Sequence, residues 1–287
     1  MGYVALFIEV KANPNDDFFV DPPEGQDRTE WPFVFGMQDR TPQRRRDFGQ
    51  AVDYAIEACK RQHRHYIYSI SMSGSYVRFV RWDRAGAIVS ERFDIRVRPK
   101  LLCEFLWCFA QLSDADRGYD FTVGPVDDEK EEQVFKNAIQ SHVTSQLGPS
   151  AAGRYLDKLV EEHFEAGAVT SVYLSSYPLN DYTCGARLLV CCPIAVPLSL
   201  TGRGTRVYWA VLVQESGTPK VVLLKDTWRH GNPLVEKEGD VIHDLNTKGV
   251  KNVPQIVHNE DVPLVVVEDT EDPERPNILY DEGPCEC

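Results

Sequence analysis

Two glycines separated by one residue, Gly202 and Gly204, precede an apolar run that leads through a second turn to Lys225. A turn without side chains lets backbone N–H groups approach the oxygens of an anion, and a lysine fixed on a nearby strand adds positive charge. Further along, Glu238 begins the segment EGDVIHDL and could hold that lysine, with Glu236 as the second candidate. These residue types predict a site that binds phosphate groups.

The strands that must position these residues lie in the same stretch. Residues 207–213 (VYWAVLV) and 221–225 (VVLLK) are short, continuous and rich in β-branched and aromatic side chains, and QESGTPK between them predicts a turn. A glycine-rich turn, a strand and a lysine-bearing strand occur in this order in the small lobe of protein kinases, where the lysine contacts ATP phosphates. Val207 stands where that pattern has its third glycine.

The segments TGRGTRVYWA, VLLKDTWR and GVKNVPQIV together resemble the fungal-type protein kinase domain family. The resemblance extends upstream to RQHRHYIYSISMSGSYVRFVRWDRAGAIVSERFDI and RGYDFTV, and so covers most of residues 1 to about 262. It implies phosphoryl transfer from ATP to serine or threonine. By carry-over, Gly202 and Gly204 would lie over the phosphates, Ala210 would lie against the adenine, and Glu238 would pair with the phosphate lysine Lys225. The implied nucleotide-binding residues are Gly202, Gly204, Thr205, Val207, Ala210 and Lys225.

The sequence departs from a kinase after Lys225. Phosphoryl transfer uses a catalytic-loop aspartate and asparagine and a later D-F-G aspartate that binds Mg²⁺. No H-R-D and no later D-F-G follow Lys225. Asp47-Phe48-Gly49 matches the D-F-G motif but lies far upstream, and we interpret this match as a coincidence. The chain resembles a kinase truncated after its small lobe, so we expect impaired catalysis and no support for Mg²⁺ binding. A non-catalytic nucleotide-binding pseudokinase or adaptor is the alternative.

Glu9 and Lys11 form a second group, on the predicted strand YVALFIEV and its continuation. Residues i and i+2 of a strand share a face. An E-x-K strand resembles the PD-(D/E)xK nuclease fold, whose carboxylates hold a divalent cation, and Gln50 and Tyr54 resemble the Q-x-x-x-Y element of some such nucleases. That fold's other aspartate would come from a strand before residue 1, so we expect no nuclease activity. A degenerate nuclease remnant, or a plain Glu9–Lys11 ion pair, remains as an alternative.

The whole pattern predicts an α+β protein: an N-terminal nuclease-like α/β module plus a kinase-small-lobe-like antiparallel sheet with one helix. Helical spacing predicts a helix from Gln43 to about His63, and three β-rich runs predict a meander after it. The apolar segment 101–112 predicts a core helix, and 253–257 a strand. The predicted regions are the nuclease-like module 1–128, a helical connection 129–168, the kinase-like module 169–262 and an acidic, disordered tail 263–287.

The net charge of −13 argues against nucleic-acid binding, because affinity for phosphate backbones depends on Lys and Arg. No apolar run reaches membrane-spanning length. The adjacent Cys191 and Cys192 lie in an apolar stretch and predict buried, reduced thiols. We therefore expect an intracellular, soluble protein, cytoplasmic or nuclear, with ATP as a partner and an exposed small-lobe surface as a candidate site for a protein partner. The predicted core tryptophans are Trp82, Trp107, Trp209 and Trp228, and the histidines predicted to be exposed or hydrogen-bonded include His142 and His163.

Overall fold

The computed structural model describes residues 4–27, 29, 31–34, 42–126, 128–147, 153–174, 186–213, 218–229, 235–262, 264–267 and 278–281. The chain is a mixed α+β protein with two five-stranded, mainly antiparallel sheets and, within the described residues, five α-helices. It divides into two compact units. Unit 1 is Met1–Phe121 with Pro197–Gly204, and unit 2 is Thr122–Val196 with Thr205–Cys287. The segment that carries Gly202 and Gly204 therefore belongs to unit 1.

Unit 1 is built on a sheet of the order β1-β2-β3-β4, with β5 paired to β3. The first two strands are parallel, because helix α1 crosses between them, and the later pairs are antiparallel. The predicted meander is confirmed, with its third run divided into two short strands. The elements are β1 Leu6–Lys11, α1 Pro42–Arg61, β2 Tyr66–Ser73, β3 Tyr76–Asp83, β4 Ala87–Val89, β5 Phe93–Asp94 and α2 Pro99–Gln111.

The two helices of unit 1 bury different amounts of their surface. The predicted helix α1 is confirmed, and its small residues Ala51 and Ala55 pack in a core that includes the buried Trp82. The prediction of a core helix over 101–112 is wrong, because none of the residues of α2 is buried. Phe105 stacks on the sheet at Phe79, whereas Trp107 on the outer side is 67% exposed. An almost entirely apolar run gave no periodicity from which this one-sided packing could be predicted.

Unit 2 contains an antiparallel sheet of the order β10-β9-β8-β7-β6. Helices α3 and α4 cover one face, where Phe135 and Ile139 pack against Leu189 and Val211. No residue of α5 is buried. The elements are β6 Val123–Pro125, α3 Glu129–Leu147, α4 Arg154–Glu161, β7 Thr170–Leu174, β8 Ala186–Val190, β9 Arg206–Val213, β10 Lys220–Asp226, α5 Glu238–Thr247, β11 Leu264–Val267 and β12 Ile278–Asp281.

Two parts of unit 2 differ from the sequence pattern. The prediction of a strand at 253–257 is wrong, because this segment is an irregular loop that pairs with no strand. In the acidic C-terminal region, β11 pairs with β12 in antiparallel register. Among the described residues, none of the helices is both long and apolar enough to cross a bilayer.

Candidate functional site

Lys225 lies near the end of β10, directly opposite Val207 on β9. Alternate residues of a strand share a face, so Lys225 lies on the same face as Val221, which packs against the core under α3 and α4. The Lys225 side chain itself is 36% exposed. The sheet therefore presents a partly exposed ammonium group on the same face as the core under α3 and α4.

Glu238 is the first residue of α5, and its Oε1 lies 2.5 Å from Nζ of Lys225. A carboxylate is favoured at a helix N-terminus by the exposed N–H groups there. Glu236 precedes the helix and is exposed. Because both charged side chains are partly exposed, the pair contributes about 0–1 kcal/mol to stability. Its evident effect is to hold the ammonium group in one position.

The residues that follow Lys225 have acidic or basic partners elsewhere in unit 2. Asp226 accepts from Arg206, and Arg229 donates two hydrogen bonds of 2.9 Å to Asp261. Lys237 lies 2.7 Å from the same carboxylate. The bonds from Arg229, and then those from Lys237, hold the pKa of Asp261 below its usual value. Sequence reasoning missed Asp261, because it lies in an irregular loop after α5 and belongs to no motif.

The glycine turn packs against Arg84 within unit 1. Gly202 and Gly204 have φ angles of +91° and +51°, a region that favours glycine. The N–H of Gly202 donates to the carbonyl oxygen of Arg84 at 3.1 Å. A Cβ at position 204 would lie 2.4 Å from Cζ of Arg84, whose Nη1 donates to the carbonyls of Ser199 and Leu200. Packing on Arg84 thus accounts for the glycine at 204 without a ligand.

Substitution by alanine should destabilise the chain to different extents at Gly202 and Gly204. We expect Gly202→Ala to lower the free energy of unfolding by about 1 kcal/mol, because the space there is open and only the left-handed backbone is strained. We expect Gly204→Ala to cost about 2–4 kcal/mol, because the buried Arg84 guanidinium must also give up hydrogen bonds. Chemical denaturation of both variants measures the difference. Equal losses would contradict the packing of Arg84 against Gly204.

The other predicted nucleotide ligands lie on different sides of the sheet of unit 2. Thr205 shares a 2.8 Å hydrogen bond with Thr227, and Val207 lies opposite Lys225. Ala210 is fully buried opposite Val222, on the face away from Lys225. The structure thus places Val207 beside the lysine and does not bring Ala210 to it, since 207 and 210 differ by an odd number of residues.

Trp209 is on the Lys225 face of β9. Its ring stacks on His163 with centroids 4.2 Å apart and meets the edge of His142 at 4.8 Å. Burial lowers the pKa of His163, and its Nδ1 is buried without a hydrogen-bond partner in the described part of the chain. The prediction of a satisfied histidine is therefore wrong here. A cavity of about 220 Å³ lies beside these rings, lined by Val143, Gln146, Leu147, Tyr155, Leu159, His163 and Trp209.

The Glu9–Lys11 group forms a separate buried cluster in unit 1. Nζ of Lys11 lies 2.8 Å from Glu9, 2.9 Å from Asp47 and 2.7 Å from Oε1 of Gln50, which in turn bonds Tyr54. Asp47 is 2% exposed. It is the second carboxylate that contacts Lys11, and it lies in the first turns of α1.

A divalent cation fits this cluster poorly as it stands. The ammonium group of Lys11 bonds both carboxylates, and no three His, Cys, Asp or Glu side chains of the described residues converge as metal ligands. Burial alone would lower the pKa of Lys11, but its hydrogen bonds to Glu9 and Asp47 outweigh burial and raise it. The cluster links β1 to α1 as a charged, hydrogen-bonded network.

A family model described as fungal protein kinase matches residues 33–278. This range contains Lys225, Glu238 and the glycine turn, whereas Glu9 and Lys11 precede it. Comparisons with curated proteins and with solved structures gave no match.

Proposed function

Because the chain belongs to the fungal protein kinase family, we propose that unit 2 binds ATP with the ammonium group of Lys225 at the phosphates. The observation that carries the proposal is the contact between Lys225 and Glu238, which joins the lysine strand to the next helix. Kinases require a lysine–glutamate ion pair of this kind to place the lysine at the α- and β-phosphates.

The geometry of this pair suits an anion. An ammonium group has three donors, and Glu238 takes its contacts from one side while Lys225 remains 36% exposed. Glu238 acts here as a positioning residue. Gly202 and Gly204 remain predictions as phosphate ligands, since the N–H of Gly202 already donates to Arg84 and that side chain fills the space beside Gly204.

We further propose that the adenine lies in the cavity beside Trp209. Trp209 is two residues along β9 from Val207, which is about 7 Å of strand from the pair that carries Lys225. An indole ring favours stacking with a planar base. The lowered pKa of His163 favours the neutral imidazole, which can lie beside an uncharged base without burying a positive charge. This placement replaces Ala210 as the adenine contact.

The proposed activity of these 287 residues is nucleotide binding with impaired phosphoryl transfer. Family membership supports a kinase-like function, with serine or threonine as the acceptor. The sequence after Lys225 holds no H-R-D and no D-F-G, so the groups that orient the acceptor hydroxyl and hold Mg²⁺ are not supplied by those motifs. Binding of ATP without turnover, as in a pseudokinase or adaptor, follows from the two observations together.

Calorimetric titrations of the full chain with ATP and with tripolyphosphate test the proposal. We expect both to bind, ATP more tightly because of its base. Trp209→Leu should reduce the affinity for ATP to that for tripolyphosphate and leave tripolyphosphate unchanged. Absence of any ATP binding would refute the proposal. Transfer of labelled γ-phosphate to a serine or threonine peptide, above that of Lys225→Met, would refute the impaired catalysis alone.

A further inference from the structure

Cys191 and Cys192 follow β8 directly, and their sulfur atoms lie 3.7 Å apart. Both thiols are free and partly exposed. They lie beyond the last ladder pair of β8, Thr170 with Val190, so the backbone that joins them is outside the sheet register. We propose that Cys191 and Cys192 form a reversible oxidation site, at which a hydroperoxide converts the two thiols into a disulfide between adjacent residues.

The two sulfurs differ in their surroundings. Cys191 Sγ accepts a hydrogen bond of 3.2 Å from the N–H of Glu165 and lies 3.6 Å from the carbonyl oxygen of that residue. A hydrogen bond from the Cys191 thiol lowers the pKa of Cys192 to about 7, and donating that bond raises the pKa of Cys191. Since the thiolate is the nucleophile, the lower pKa favours Cys192 as the sulfur that reacts first. Cys191, whose sulfur lies 3.7 Å away, is then the thiol that resolves it.

The reaction balances with the hydroperoxide as its sole oxidant. The Cys192 thiolate attacks one peroxide oxygen, an S–O bond forms, the O–O bond breaks, and hydroxide or alkoxide leaves and takes up a proton. The Cys191 sulfur then attacks the Cys192 sulfenic acid. An S–S bond forms, the S–O bond breaks, and the departing hydroxide combines with the Cys191 proton as water. Two thiols are oxidised, and one peroxide is reduced.

Such a disulfide should be easy to reduce. Adjacent Cα atoms are about 3.8 Å apart across a trans peptide, less than the usual span of a disulfide, and strain makes the bond more reducible. The loop that follows is tied to the sheet, because Ile194 N–H donates to the carbonyl of Val207 at 2.7 Å. Val207 is the register partner of Lys225. The oxidation site is thus joined to the strand segment that faces that lysine.

Trypsin provides a matched internal control. Cleavage after Arg187 and Arg203 gives peptide 188–203 with only Cys191 and Cys192, and cleavage after Lys100 and Arg117 gives peptide 101–117 with only Cys103 and Cys108. Cys103 and Cys108 are exposed on α2. Five residues of helix rise by about 7.5 Å, which is beyond the reach of a disulfide. The control peptide therefore contains two thiols that are more exposed than Cys191 and Cys192 but too far apart to form a disulfide with each other.

The experiment treats the full chain with hydrogen peroxide, alkylates it and analyses the digest by mass spectrometry without reduction. We expect peptide 188–203 to lose two hydrogen atoms and to regain them with dithiothreitol, while peptide 101–117 is alkylated or gains oxygen. Cys191→Ser should instead drive Cys192 to sulfinic acid, because no thiol resolves it. Oxygen gain without hydrogen loss in wild-type peptide 188–203 would overturn the proposal, as would disulfides that join it to other peptides.

A second measurement needs no variant. A trivalent phenylarsine oxide releases water and bridges two neighbouring thiols, so we expect one arsenic adduct on peptide 188–203 of the native chain and none on peptide 101–117. Equal labelling of both peptides would overturn the proposal. These readouts follow the sulfur atoms directly, so their result does not depend on whether ATP binds.

Discussion

Lys225→Met should abolish the stabilisation of the chain by ATP. For the wild type, ATP at a hundredfold excess over its Kd should raise the free energy of unfolding of unit 2 by about 2.7 kcal/mol. Methionine keeps most of the side-chain length and removes the charge that we propose to face the phosphates. The partly exposed pair with Glu238 contributes little to stability, so the variant should fold normally and show no response to ATP. Thermal denaturation with increasing ATP measures the effect.

Two variants control this result. Lys220→Met makes the same change at the exposed start of the same strand, opposite Leu212, and should leave the ATP response intact. Glu238→Gln keeps Lys225 charged but loosens its position, so the response should be reduced and not lost. A normal ATP response in Lys225→Met, or an equal loss in Lys220→Met, would exclude the proposed role of Lys225.

Lys11→Met should have the largest effect on stability. The substitution leaves Glu9 and Asp47, which are 9% and 2% exposed, as two neighbouring carboxylates without their cation. Breaking a buried ion pair by removal of one partner costs about 3–5 kcal/mol. We expect the variant to lose this amount in the unfolding of unit 1. Hydrogen exchange followed by mass spectrometry should show the loss of protection in the peptides of β1 and α1.

Lys60→Met is the matched control, because Lys60 pairs with the more exposed Glu57 on the same unit and should cost at most about 1 kcal/mol. Adding Glu9→Gln and Asp47→Asn to Lys11→Met should recover part of the stability, since the uncompensated charges are removed. A loss as small as that of Lys60→Met would contradict the buried network.

The pH dependence of the same cluster has a definite sign. The raised pKa of Lys11 in the folded chain means that its stabilisation is fully present below its ordinary value of 10.5 and is lost as pH rises through the raised value. Above pH 10.5, the free energy of unfolding of unit 1 should therefore fall more in the wild type than in the Lys11→Met variant. Parallel pH curves for the two proteins would contradict this assignment.

The sequence predicted the elements better than it predicted the faces they bury. The order of strand, turn, lysine strand and helix around Lys225 and Glu238 is local, and the structure brings these two residues together. Ala210 followed from family carry-over, and the alternation of strand β9 turns it away from Lys225. The apolar run of α2 has no alternation of polar and apolar residues at helical spacing. The sequence therefore could not predict which side of the helix, the one with Trp107, is exposed.

The residues that sequence reasoning missed lie at contacts between distant segments. Asp47 contacts Lys11 because α1 packs on β1. The tripeptide Asp-Phe-Gly that contains Asp47 gave no indication of this contact. His163 meets Trp209 because α3 and α4 cover the sheet, and neither residue belongs to a periodic pattern that names the other. Arg84 fills the space beside Gly204 from a different turn of unit 1. Such pairs become visible only once the packing of the elements is known.

Labelling with an ATP derivative that carries an acyl group on its γ-phosphate tests the central claim most directly. An amine at the phosphates attacks the acyl carbon, displaces ATP and keeps the acyl group as an amide that mass spectrometry can locate. We expect Lys225 to be labelled far more than Lys248, whose side chain is 65% exposed in the same unit, and excess ATP to suppress only the label on Lys225. Equal labelling of the two lysines, unaffected by ATP, would contradict a nucleotide site at Lys225.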